Sequence, residues 1–97
     1  MKNQLVVVAT IIAHEGKEDA VRDALLTLVP IAKTEPGFVQ YDLHQSNDRP
    51  GEFLFYEIWD DEKALDVHNN TDAMKAFGAK HGHLFKSVVL EKYTRIS

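Results

Sequence analysis

The segment Phe53-Leu54-Phe55-Tyr56-Glu57-Ile58-Trp59 is apolar at almost every position. Read with the two-residue period of a strand, Phe53, Phe55 and Trp59 share one face with the single acid Glu57. Leu54, Tyr56 and Ile58 form the other face. A half-exposed strand alternates apolar with polar, so a strand apolar on both sides is expected in the middle of a sheet, covered above and below. A carboxylate inside such a strand is costly to bury unless something pairs with it.

The same period-2 reading places an earlier strand at Leu5 to Ala13, LVVVATIIA, rich in β-branched residues and with little polar alternation. His14-Glu15-Gly16 turns the chain. From Lys17 the spacing becomes helical, and Ala20, Val21, Ala24, Leu25, Leu28 and Ala32 form one stripe. Pro30 should kink this helix, and the turn signal Pro36-Gly37 ends it. Phe38 to His44 is a second strand, with Phe38, Gln40, Asp42 and His44 on one face and Val39, Tyr41 and Leu43 on the other. The polar run Ser46 to Glu52 closes an antiparallel hairpin with the Phe53–Trp59 strand. Asp60-Asp61-Glu62 opens a short helix to about Asn69. Thr71 caps another, reaching to about Phe85 and weakened by Gly78 and Gly82. Val88 to Tyr93 is the last strand. The order β-α-β-β-α-β is the α+β, ferredoxin-like split βαβ arrangement, a single domain over residues 1–97. Helices cover one face of such a sheet. The other face is also apolar here, so a homodimer with sheets face to face about a two-fold axis is expected.

Length and charge narrow the partners. Ninety-seven residues bury roughly 60–65% of the unfolded surface, which leaves room for a second chain to add stability. A net charge of −4 without a Lys/Arg cluster argues against nucleic acid or an anionic membrane. The absence of cysteine removes disulfides, thiolate nucleophiles and cysteine-based metal sites. No apolar run is long enough to span a bilayer, and no secretory signal pattern is present, so a cytoplasmic protein is expected.

The chemical groups that remain are Glu57, Asp42, the tyrosines and five histidines. His68 lies nine residues beyond Trp59, on a helix that could hold its imidazole over the central strand. A histidine near a carboxylate in an apolar pocket is the arrangement that produces a general base working near neutral pH. His44, His68 and Glu57 are therefore the candidate catalytic groups. Each has a plainer reading: His44 as a solvated strand end, His68 as a helix residue bonded to a carbonyl, Glu57 as a partner for a cation of a second chain, and Trp59 as core. His81 and His83 stand two apart on a helix, which splays their side chains and is poor geometry for a metal.

Five short motifs then come into register: Glu35-Pro36-Gly37-Phe38, Tyr41-Asp42-Leu43-His44-Gln45, Tyr56-Glu57-Ile58-Trp59, Leu65-Asp66-Val67-His68 and Met74-Lys75-Ala76-Phe77. Together they resemble the antibiotic biosynthesis monooxygenase (ABM) domain family, over essentially Leu5 to Tyr93. The resemblance implies a dimeric α+β barrel of ferredoxin-like chains, with a substrate cavity between the sheet and helices of each. It also implies oxidation of phenolic or quinol-type aromatics by O2, without metal, flavin or haem, as in small quinol monooxygenases. By resemblance, Trp59 and His68 line the cavity, with His44 and Glu57 near it. Haem-degrading relatives carry Asn, Trp and His where this chain has Ala9, His68 and Gly78, which argues against haem. A further relative acts on a phosphorylated signalling sugar and shares the Tyr-Glu pair and the helix histidine.

The expected chemistry is cofactor-independent oxygenation of a small aromatic. Phe53, Phe55, Trp59 and Phe77 would hold the ring. His68 or His44 would take the phenolic proton, and Glu57 would orient an imidazole. The alternatives are a non-catalytic small-ligand module with the same dimer and an isomerase of a small phosphorylated sugar, which would need cationic groups at the cavity mouth.

Overall fold

The computed structural model describes residues 4–97. Its elements run β1 (Leu5–Ala13), α1 (Glu18–Leu26), α2 (Leu28–Ala32), β2 (Phe38–Gln45), β3 (Glu52–Trp59), α3 (Glu62–Asn69), α4 (Asp72–His81), a 3-10 turn (Gly82–Leu84) and β4 (Phe85–Thr94). The four strands form one antiparallel sheet in the order β2-β3-β1-β4. This is the ferredoxin-like order, with β1 and β3 central, as the apolar pattern on both faces of the Phe53–Trp59 strand predicts. No described helix is long and apolar enough to cross a membrane.

The two faces of the sheet differ. Val7, Ala9 and Ile11 of β1 and Phe53, Phe55, Glu57 and Trp59 of β3 point toward the helices and are buried. Val21, Leu25, Leu28 and Leu65 cover them from the helical layer. The opposite face carries Val6, Val8, Leu54, Tyr56 and Ile58, all only half-buried, and Val89 and Tyr93 of β4 join it as cross-strand partners of Thr10 and Val6.

Three departures from the sequence reading have local causes. The first helix breaks at Thr27 rather than bending at Pro30. Proline offers no N–H to the Leu26 carbonyl and its ring crowds that position, so the chain restarts with Pro30 in the first turn of α2, where a missing donor costs nothing. The Thr27 hydroxyl donates to the Ala24 carbonyl at 2.6 Å and seals the break. In β2, Phe38 pairs with Trp59 but Gln40 already pairs with Ile58. Val39 is an extra residue, a bulge, so Phe38 shares the helix face with Tyr41 instead of facing away with Gln40, Asp42 and His44. Finally, α4 stops at His81, and β4 begins at Phe85, earlier than Val88. Gly82, a poor helix former, hands the chain to the 3-10 turn.

Candidate functional site

The site begins with a glycine. Gly37 has φ +78°, and a Cβ there would overlap the Ala64 methyl on α3. Only glycine permits both the left-handed turn and this close approach. The turn is pinned further by the Asp60 amide, which donates to the Gly37 carbonyl at 2.8 Å. Asp61 caps α3 by accepting from the Ala64 amide at 2.8 Å. His68 lies one helical turn beyond Ala64 on the same face. The turn that touches Ala64 therefore delivers Glu35 to His68, and the Glu35 carboxylate bonds the imidazole at Nδ1.

A second carboxylate, this one buried, stands near that imidazole. Glu57, 3% exposed, accepts a hydrogen bond from the Trp59 indole nitrogen at 2.9 Å. The Trp59 ring lies against His68, with centroids 4.5 Å apart and planes inclined by 32°. Tyr41 meets His68 edge-on at 5.5 Å and packs on Phe55 at 4.6 Å. Burial pushes the Glu57 carboxyl above its ordinary range. The indole bond and nearby His68 oppose this, and Glu35 adds to it. Burial, then Glu57 and Glu35, raise the Tyr41 phenol strongly, so its hydroxyl stays protonated.

Tyr41, Phe55, Glu57 and His68 border a cavity of about 320 Å³ between the sheet and the helices. Its polar lining is Tyr41, Glu57, His68 and Asn69, and the rest is apolar, including Ala9, Leu25, Phe55, Met74, Phe77 and Leu90. No Lys or Arg among the described residues lines it. His68 Nε2 and Glu57 Oε2 make no hydrogen bond within the described chain, yet no fully enclosed polar side-chain atom lacks a partner. Neither atom is therefore fully enclosed, and both residues line the cavity.

The structure brings together His68, Glu57, Phe55 and Phe77 at the cavity wall. It does not bring His44 there: that residue is exposed and pairs with Leu54 on the opposite face of the sheet. Trp59 and Phe53 are buried behind the wall rather than in it. Trp59 backs His68 and Glu57 instead of offering its face to a ring. The partner orienting the imidazole is Glu35, not Glu57. Glu35 stood in the Glu-Pro-Gly-Phe motif, but the contact spans 33 positions of sequence, and only the Pro-Gly turn hinted at a bend back toward the site. Among the described residues no cluster of three or more His, Cys, Asp or Glu suits a metal ion.

Residues 4–80 match the model of the antibiotic biosynthesis monooxygenase family. The chain belongs to that family. It is 33% identical to the Bacillus subtilis protein named "Putative monooxygenase YcnE" over 73 residues, 75% of this chain and 76% of that one. It is 32% identical over 54 residues to the uncharacterized Synechocystis protein sll1783, of which the match spans only 37%. Among solved structures, PA3566 from Pseudomonas aeruginosa superposes with a TM-score of 0.94 at 33% identity, covering 100% of this chain and 98% of the other. SO0527 from Shewanella oneidensis gives 0.89 at 33% identity, covering 98% and 93%. The ABM chain is thus monooxygenase-like in family as well as in fold.

Proposed function

We propose that this ABM protein is a cofactor-independent monooxygenase of quinol-type aromatics. The observation that carries the reading is the pair of open polar atoms, His68 Nε2 and Glu57 Oε2, at one end of an otherwise apolar cavity. In the tautomer that donates Nδ1–H to the Glu35 carboxylate, the imidazole presents the Nε2 lone pair to the cavity. A quinol hydroxyl placed there loses its proton to Nε2. Burial raises the Glu57 carboxyl above its ordinary range, and its Oε2 hydrogen-bonds a second ligand hydroxyl.

The quinolate is electron-rich enough to pass one electron to O2. The resulting semiquinone and superoxide combine at ring carbon, and the hydroperoxide loses water to leave a hydroxyquinone. Quinol plus O2 gives hydroxyquinone plus water, and the proton taken by His68 returns to the departing oxygen. The apolar walls keep bulk water from the radical pair. A cavity without cations supports an uncharged aromatic over a phosphorylated sugar, whose charge would lie unpaired. The half-exposed second face of the sheet supports a homodimer joined sheet to sheet.

The test is oxygen uptake by the metal-free protein with chemically reduced naphthoquinol, set against the unaided autoxidation rate. A saturable excess, with one atom from ¹⁸O2 in the product, is expected. An enzyme rate equal to autoxidation would remove the oxygenase reading and leave a binding module.

A further inference from the structure

We infer that Gly78 and Gly82 set the size of the aromatic ligand, leaving the cavity open to fused rings that a side chain at either position would shut out. The inference rests on this cavity being the ligand site, but not on oxygen chemistry. Both glycines line the cavity with Phe77, Gly78 exposed at its rim and Gly82 half-buried. The fold does not ask for glycine at either. Neither has a positive φ, unlike Gly16 and Gly37. A Cβ built on either meets no atom within 4 Å, whereas at Gly37 it would overlap Ala64. A glycine inside α4 weakens the helix by about 1 kcal/mol relative to alanine. Packing supplies no offsetting gain, since no residue of α4 is buried. What glycine does provide is bare helix backbone as cavity wall, facing a lining that includes the small Ala9.

The polar end fixes one edge of a ring through its oxygen, so further fused rings must extend toward α4 and β4. A leucine at position 78 or 82 would occupy that space. Single-ring ligands, which stay at the polar end, would be unaffected.

Calorimetric titration with phenol, 1-naphthol and 9-phenanthrol tests this without turnover. Gly78→Leu and Gly82→Leu should each weaken 9-phenanthrol by about ten-fold or more, as expected when bulk enters a binding pocket. Phenol should change by less than about two-fold. Gly78→Ala, which favours the helix, should show the same ranking on a smaller scale and serves if a leucine variant does not fold. Equal weakening of all three probes, unchanged 9-phenanthrol binding in folded variants, or no probe binding to the wild-type protein would each overturn the inference. A size series that holds while oxygen uptake fails would separate this inference from the oxygenase reading.

Discussion

The two ends of the cavity are built to different standards. At the polar end, Trp59, Tyr41 and Leu65 are at most 2% exposed, Glu35 bonds His68, Glu57 is held by the Trp59 indole, and Gly37 locks the turn to α3. At the other end, α4 buries no side chain, and Val88 and Leu90 of the edge strand are 57% and 40% exposed. Catalytic geometry needs groups held to a fraction of an ångström, which dense packing provides. Admission of a ligand needs an element that can yield, and a helix without buried anchors opens at little cost. One small domain thus divides its core between a densely packed end around His68 and a loosely packed end at α4 and β4; under the proposed function the first would hold the proton acceptor and the second would admit the ring.

Substitutions should separate the two ends, and the rigid one should suffer most. Trp59→Ala removes a fully buried ring and the donor to Glu57, and should cost about 4 kcal/mol in denaturant unfolding. Gly37→Ala combines a left-handed alanine with overlap at Ala64 and should cost about 3 kcal/mol. A loss of less than about 1 kcal/mol would mean the turn is not locked. Glu35→Gln keeps the shape of the contact but removes the charge that orders the imidazole. It should lower kcat about ten-fold with KM little changed; a change in KM alone would make Glu35 a binding residue. Phe77→Ala, at the loose end, should cost only about 1 kcal/mol, because its ring is partly exposed. A cost equal to that of Trp59 would erase the contrast between the ends.

The smallest effect is a slope. The folded chain holds the Glu57 proton more tightly than the unfolded chain, whose carboxyl titrates near the ordinary value of 4.5. The folded state therefore binds more protons, and stability falls as pH rises from that value through the higher folded one. Glu57→Gln should flatten this fall in urea unfolding followed across the acid range. A fall as steep as in the wild type would place its source elsewhere.

Much of the frame can be read from residue order because it depends on local rules. The double-faced apolar pattern of Phe53–Trp59 marked a central strand, Thr71 marked the start of α4 through its bond to the Met74 amide, and Pro36-Gly37 marked the turn. The misplacements came where one residue changes the phase. The extra Val39 shifts Phe38 to the helix face, and no residue type in the strand signals a bulge. His44 and His68 looked alike in sequence, because which face a strand residue occupies depends on a register set by its neighbour. The Glu35–His68 contact needed the third dimension: its enabling feature is the approach of Gly37 to Ala64, two residues that no periodicity connects. Trp59 suggested a stacking surface, but in three dimensions its indole N–H is taken by Glu57 and its face by His68.

The proposed function requires His68 Nε2 to act as the acceptor at the polar end. Nitrogen-15 NMR of the imidazole at about pH 8, before and after saturation with 1-naphthol, reads this directly. The Nδ1–H tautomer with a bare Nε2 is predicted, and the Nε2 resonance should move toward the protonated position when the phenol binds. An Nε2–H tautomer in the free protein, or an Nε2 signal indifferent to bound naphthol, would contradict it.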